Sequence, residues 1–320
     1  MRRTRRTTIL IVLAAALTTG GLLAGCGGGG SGTRSVSLVL DFTPNAVHAG
    51  IYEALARGDD RAAGIRLHVI APSASTDALR LLQTGRVDFA ILDIHDLALA
   101  RAKGQNVVGV TPIVQRPLAA VIAAPGVRSP HALVGDTVGV TGDPSDTAVL
   151  HSIVAGSGGD PTRLRTITIG FDAVGDLLAG RVAAATAFWN DEGVVLRTRR
   201  PGFHIFRVDD YGAPSYPELV VCASGRFARA HPGLVGALRR TLTRGYDATL
   251  RDPSAAAAAL EVRVPGLDRP LVAAELRGLL PAFAPVGRFQ PARLRAWAAW
   301  ERRFGIVSRT PDVAAMFPGG

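Results

Sequence analysis

Apolar residues along this chain fall into short runs that alternate with stretches of helical spacing. Residues 36–40, 65–70 and 87–92 read as strands. Residues 47–57, 76–84 and 96–103 read as helices, with apolar positions three and four apart. Gly85 and Gly104 follow the last two of these helices as C-terminal stops. A second set begins near Pro125, with strands at 136–140, 164–169 and 182–187 and helices at 146–155 and 173–179. Strands alternating with helices at this spacing predict parallel sheets covered on both faces. The two sets share a joint. Leu81-Leu82-Gln83-Thr84-Gly85-Arg86-Val87 and Leu177-Leu178-Ala179-Gly180-Arg181-Val182 each run from a helix end through a glycine into a strand, which points to two similar lobes. From about Arg226 the pattern turns helical, at 231–250, after Asp252-Pro253-Ser254 and at 293–304. Trp297, Trp300 and Phe304 form a stripe on the last of these, as expected of a face packed on a core.

The amino terminus follows another logic. Arg2, Arg3, Arg5 and Arg6 precede an apolar run from Ile9 to Leu17, and small residues follow. This is the pattern of a secretory signal over residues 1–25. The apolar stretch falls short of the roughly 20 residues that span a bilayer. Leu23-Ala24-Gly25-Cys26 resembles a bacterial lipobox, which implies cleavage before Cys26 and acylation of that residue. An ordinary cleavage site with an incidental cysteine is the alternative. Residues 26–34 are rich in glycine and read as a flexible tether between a lipid anchor and the folded part. The expected location is therefore exported, lipid-anchored on the outer face of the cytoplasmic membrane.

Charge changes meaning once the signal is set aside. The 320 residues carry 36 basic and 26 acidic side chains, a formal +10. Four of the arginines lie in residues 1–25, leaving 32 basic against 26 acidic, a net +6. The remaining arginines are scattered without interleaved aromatics, so no nucleic-acid footprint is present. Two cysteines exclude a disulfide-dense scaffold and a four-cysteine metal site. Cys222 lies in an apolar run, 219–223, and reads as a small buried hydrophobe.

Chemistry-bearing residues gather directly after the first strand, in Asp41-Phe42-Thr43-Pro44-Asn45-Ala46-Val47-His48-Ala49-Gly50-Ile51-Tyr52. In an open parallel sheet, ligands collect beyond the carboxyl ends of strands. Pro44-Asn45 is equally a turn and helix cap. This stretch resembles the opening motif of the NMT1/THI5-like binding proteins. Further matches follow in order: Ala100-Arg101-Ala102-Lys103-Gly104, Ile113-Val114-Gln115-Arg116-Pro117-Leu118, Gly142-Asp143-Pro144-Ser145-Asp146, Gly170-Phe171-Asp172, Trp189-Asn190-Asp191-Glu192-Gly193, Arg207-Val208-Asp209-Asp210-Tyr211-Gly212 and Glu218-Leu219-Val220.

The resemblance implies an α/β chain of the type II periplasmic-binding-protein fold: two doubly wound lobes, a hinge and an interlobe cleft. Lobe I would comprise 35–122 and be completed by 223–320, with lobe II at 123–222. It implies a monomeric, non-enzymatic carrier without cofactor. Such a carrier hands a small heteroaromatic solute to ABC permease subunits with a cytoplasmic ATPase. The solute implied is a thiamine pyrimidine precursor, an aminopyrimidine. Riboflavin or another nitrogen heterocycle, or a small sulfonate, are the alternatives within the class. The alternative from another class is the pyrimidine synthase branch, which uses pyridoxal phosphate. That chemistry wants a lysine, and Lys103 is the sole lysine in the chain.

Cleft roles can be assigned on this footing. Phe42, Trp189 and Tyr211 offer flat faces to a ring. Glu192 and Asp41 accept hydrogen bonds; Asn45 and Asn190 donate and accept; His48 and Tyr52 complete the first helix's face. Gly142, Ser145 and Asp146 open a helix whose free amides would hold an acceptor atom, although Ser145 and Asp146 also suit plain capping. Where pyrimidine-binding relatives carry Ser-Tyr-Gln-Pro, this chain has Leu92-Asp93-Ile94-His95-Asp96. Asp93 and His95 thus present a different set of donors and acceptors. Alternatively Asp93 is a turn residue and Asp96 the next helix's cap. His48 and His95 lack a third partner, so no metal site is expected.

Overall fold

The computed structural model describes residues 33–319. The signal, Cys26 and most of the tether lie outside the described residues. No helix among the described residues is long and apolar enough to cross a membrane.

Two five-stranded sheets form the frame. The first contains β1 (Arg34–Val39), β2 (Ile65–Ile70), β3 (Phe89–Asp93), β4 (Val107–Pro112) and β10 (Leu219–Ser224), in the order β2-β1-β3-β10-β4. The second contains β5 (Ala119–Ala123), β6 (Thr137–Val140), β7 (Arg165–Thr168), β8 (Ala184–Phe188) and β9 (His204–Arg207), in the order β7-β6-β8-β5-β9. The lobes repeat one topology. In each, four strands share one direction and the strand that arrives from the other lobe, β10 or β5, inserts antiparallel between two neighbours.

The sheets are therefore mixed, not purely parallel as the alternation predicts. The reason is connectivity. A chain that crosses directly from β4 to β5, and from β9 back to β10, enters the new sheet from the cleft side. It must then run against the strands already there.

Helices cover both lobes. In the first stand α1 (Ala49–Arg57), α2 (Asp59–Ala62), α3 (Asp77–Gln83) and α4 (Ile94–Ala102). In the second stand α5 (Asp146–Gly156), α6 (Ala173–Leu178) and α7 (Glu192–Arg199). The shared joint of the sequence is real structure: α3 and α6 both stop at glycines of positive φ, Gly85 at 68° and Gly180 at 69°, before β3 and β8. The carboxyl-terminal helices are α8 (Gly225–Ala230), α9 (Pro232–Arg251), α10 (Pro253–Arg263), α11 (Arg269–Phe283), α12 (Pro291–Arg303) and α13 (Val313–Met316).

These helices return to the first lobe. Helix α9 crosses α1 so closely that a Cβ at Gly245 would lie 2.0 Å from the Gly50 carbonyl oxygen. The Trp297 and Trp300 stripe of α12 is buried, as its spacing predicts, and Cys222 is buried and free.

Candidate functional site

The carboxyl ends of β1, β3, β6, β7 and β8 face one another across the lobes and border a cavity of about 230 Å³. Of the residues singled out in the sequence, Asp41, Phe42, Asp93, Ser145, Asp146 and Glu192 line it. The lobes are shut over it. Phe42 meets Phe171 edge-on with ring centroids 4.4 Å apart. The Ser75 hydroxyl donates to the Thr141 carbonyl at 3.2 Å. Asn45 Nδ2 donates to Asp191 Oδ2 at 2.7 Å, also from lobe to lobe.

The loop after β1 builds its carboxylate upward from a cap. The Asn45 side chain accepts from Val47 N–H at 2.9 Å, opening a short 3-10 turn. The Asn45 N–H donates to His48 Nδ1 at 3.2 Å. That bond leaves the ring proton on Nε2, which donates to Asp41 Oδ1 at 2.9 Å. His48 is wholly buried and absent from the cavity wall; it aims Asp41 into the cavity. Tyr52, one turn on, points into the core beside α10, away from the cleft. Burial raises its phenol pKa, with Arg263 opposing.

At the end of β3, Asp93 is the cap: its carboxylate accepts from His95 N–H at 2.7 Å. Helix α4 thus begins at Ile94, earlier than the sequence pattern suggests, and Asp96 is freed from capping. His95 turns inward, with no exposed surface. Its Nδ1 faces Glu301 of α12, and its Nε2 lies 3.0 Å from the Tyr216 hydroxyl and 3.6 Å from Glu218. Burial alone would lower its pKa, but Glu301 and Asp93 outweigh this and raise it to about 9. Glu218 accepts from Leu118 N–H at 2.5 Å and Ala119 N–H at 2.8 Å, pinning one interlobe crossing to the start of β10.

The 142–146 loop departs most from expectation. Its amides are not free. Gly142 N–H donates to Asp146 Oδ2 at 3.0 Å, Asp143 N–H to Thr141 Oγ1 at 3.2 Å and Ser145 N–H to Asp96 Oδ1 at 3.0 Å. Asp146 N–H reaches the Asp143 carbonyl, and Pro144 has none to give. Ser145 makes no capping bond, and Gly142 takes a φ of 101° off the cavity wall.

Around β8, Glu192 opens α7 and accepts from Phe188 N–H at 3.0 Å. Burial, and then the neighbouring Asp191 charge, raise its pKa to about 8. Trp189 leaves the cavity. Its indole N–H donates to the Pro117 carbonyl at 2.9 Å and its ring lies under Arg207 at 4.5 Å, so it braces the crossing. Asn190 is buried with an unpartnered Oδ1, off the cavity wall. Tyr211 packs edge-on to Phe206 and against Gly156 of α5, where a Cβ would lie 2.3 Å from the Tyr211 carbonyl.

The wall also holds residues to which the sequence assigns no solute role, among them Asp96, Asp143, Phe171, Phe188 and Thr186. Phe171 sat in a recognised motif and Phe188 directly before another. Thr186 gave no signal, being one polar residue in the middle of an alanine-rich strand. Its hydroxyl is buried without a partner. Lys103 is exposed and is not among the cavity residues.

Residues 45–256 match the family model described as NMT1/THI5 like. A formylaminopyrimidine-binding protein of Halalkalibacterium halodurans is 31% identical over 225 residues, covering 69% of this chain and 68% of that protein. A 4-amino-5-hydroxymethyl-2-methylpyrimidine phosphate synthase of Legionella pneumophila is 24% identical, covering 78% of this chain and 80% of that protein. Among solved structures, the alkanesulfonate-binding protein of Xanthomonas axonopodis pv. citri bound to MOPS superposes with a TM-score of 0.71. It is 17% identical and covers 88% of this chain and 96% of that one. The fold is that of type II periplasmic binding proteins.

Proposed function

Since the chain belongs to the NMT1/THI5-like family, we propose that it is the solute-binding component of an ABC importer and that its solute is an amino-substituted pyrimidine of the thiamine-precursor kind. The observation that carries this reading is the closed cavity between the lobes. Its volume of about 230 Å³ lies below the roughly 300–1,000 Å³ of pockets for drug-sized ligands, so it suits a single ring and not a tricyclic flavin. Phe42, Phe171 and Phe188 supply flat apolar faces. Asp41, Asp93 and Glu192 supply acceptors for exocyclic amines.

In operation the solute enters between open lobes, stacks on Phe42 and is enclosed as the lobes swing about the crossings braced by Glu218 and Trp189. Enclosure removes water, which strengthens each hydrogen bond to the solute. The closed form is then the one presented to a permease driven by a cytoplasmic ATPase. Acylation at Cys26 would hold the carrier beside that permease, on the outer face of the membrane. The boundaries 35–122 with 223–320, and 123–222, serve as the working division of the moving lobes.

A synthase reading would place a pyridoxal phosphate aldehyde on a lysine. Lys103 is the single lysine available and is not among the cavity residues, which favours the carrier. Isothermal calorimetry with formylaminopyrimidine and related aminopyrimidines tests the proposal: saturable binding is expected, and no heat with any of them would refute it.

A further inference from the structure

Six carboxylates line the cavity: Asp41, Asp93, Asp96, Asp143, Asp146 and Glu192. The single basic residue on the wall, Arg80, is exposed and paired with Asp77. Such crowding is unfavourable by itself. Burial, followed by the charges of Asp93 and Asp146, raises the pKa of Asp96 to about 8, and burial with Asp96 does the same for Asp143. The Thr186 hydroxyl, 95% buried, adds an unpartnered polar group to the same wall. Among the described residues the wall holds carboxyl groups in excess and no unpaired cation.

The start of α5 is where a donor would be sought. A helix N-terminus offers unpaired amides and a partial positive charge, and so attracts anions. Here each available amide from Gly142 to Asp146 is already used within the protein. One of the occupants comes from the other lobe. Asp96 rides on the first turn of α4 and crosses the cleft to take the Ser145 N–H at 3.0 Å. Asp96 reaches across because Asp93, not Asp96, caps α4.

We propose that Asp96 is a built-in occupant of the anion position at the start of α5. It thereby sets the class of solute: the cleft takes donor-bearing amines, neutral or cationic, and excludes sulfonates, phosphates and other small anions. The inference rests on the carrier reading of this cleft and deepens it. An incoming anion would have to displace a tethered carboxyl group and would oppose the ionisation of the five others. An amine donates to these carboxyl groups, and a cationic one favours their ionised forms.

Purified protein and two variants, titrated with 4-amino-5-aminomethyl-2-methylpyrimidine and with ethanesulfonate, test this. The unaltered protein is expected to bind the amine and to show no saturable sulfonate binding. Asp96→Ala vacates the Ser145 amide. It is expected to gain ethanesulfonate affinity at least tenfold and to lose amine affinity at least tenfold. Asp96→Asn keeps an acceptor oxygen for that amide and is expected to go on excluding the sulfonate. Sulfonate binding by the unaltered protein overturns the proposal without need of a variant. So does an Asp96→Ala protein that gains nothing, or an Asp96→Asn protein that gains as much. If the unaltered protein binds no aminopyrimidine yet Asp96→Ala admits ethanesulfonate, the proposed solute fails while the role of Asp96 stands.

Discussion

His48 donates from Nε2 to the Asp41 carboxylate at 2.9 Å, and its other nitrogen is held by the Asn45 N–H. The pair makes the acid on the cavity wall dependent on a histidine buried behind it. Replacing either partner should therefore have the same consequence for binding. His48→Ala and Asp41→Asn are each expected to weaken aminopyrimidine binding about tenfold, or about 1.4 kcal/mol. The double variant should be little worse than either, the signature of two residues acting as a unit. Calorimetry on the four proteins checks this; additive losses would mean that His48 acts elsewhere.

Glu192 serves two masters, and one substitution separates them. Its Oε2 accepts from Phe188 N–H, so Glu192→Ala loses a structural acceptor as well as the proposed solute contact. Glu192→Gln keeps the acceptor and removes the ionisable group. The glutamine variant is expected to melt within a few degrees of the parent yet bind an aminopyrimidine at least tenfold more weakly. Thermal melting without solute, beside calorimetry with it, distinguishes the two roles.

Phe42 and Phe171 hold the cleft mouth shut, and an aromatic pair of this kind contributes about 0.5–1.5 kcal/mol beyond area burial. Phe171→Ala should shift the solute-free protein toward open lobes while sparing the sheets. Small-angle scattering of the solute-free variant is expected to show a larger radius of gyration than the parent, converging when solute is saturating. Equal radii without solute would assign closure to Asp96–Ser145 and Asn45–Asp191 alone.

Stability should fall as pH rises. His95 is raised from 6.5 to about 9 in the fold, so its contribution is full below 6.5 and is lost as pH passes through 9. It faces Glu301 from α12, Tyr216 and Glu218 ahead of β10, and Asp93 and Asp96 beside it. The wall acids act in the same direction. Asp96 and Asp143, raised from 3.8, and Glu192, raised from 4.5, reach about 8. The folded state thus holds more protons than the unfolded one between about pH 4 and pH 9. The solute-free protein is expected to melt progressively lower across that window. His95→Gln should flatten the upper part of the slope, and it should lower stability throughout by leaving Glu301 unpaired in the core.

Much of the frame was legible in the sequence because hydrophobic periodicity is local. The strand at 65–70, the α5 and α9 helices and the paired glycine stops all came from patterns read within a few residues. The antiparallel insertion of β5 and β10 was not legible, since direction in a sheet depends on where the chain enters it. The site divides in the same way. Asp41, Phe42, Asp93 and Glu192 reach the cavity because each follows or ends a strand. Tyr52, His95, Trp189 and Tyr211 turn from it toward partners far along the chain, such as Glu301 for His95 and Pro117 for Trp189. Those contacts have no local signature. Asp96 and Thr186 were missed for the same reason: what matters about each is a relation across the cleft or the lack of one.

Capture of an aminopyrimidine by the cleft leaves a direct chemical trace. Mass spectrometry of the small molecule released from protein purified without added solute reads this directly. A single-ring, amine-bearing heterocycle is expected in stoichiometric amount, and absent from Glu192→Gln. A sulfonate, a phosphate ester or a flavin released in that amount would contradict it.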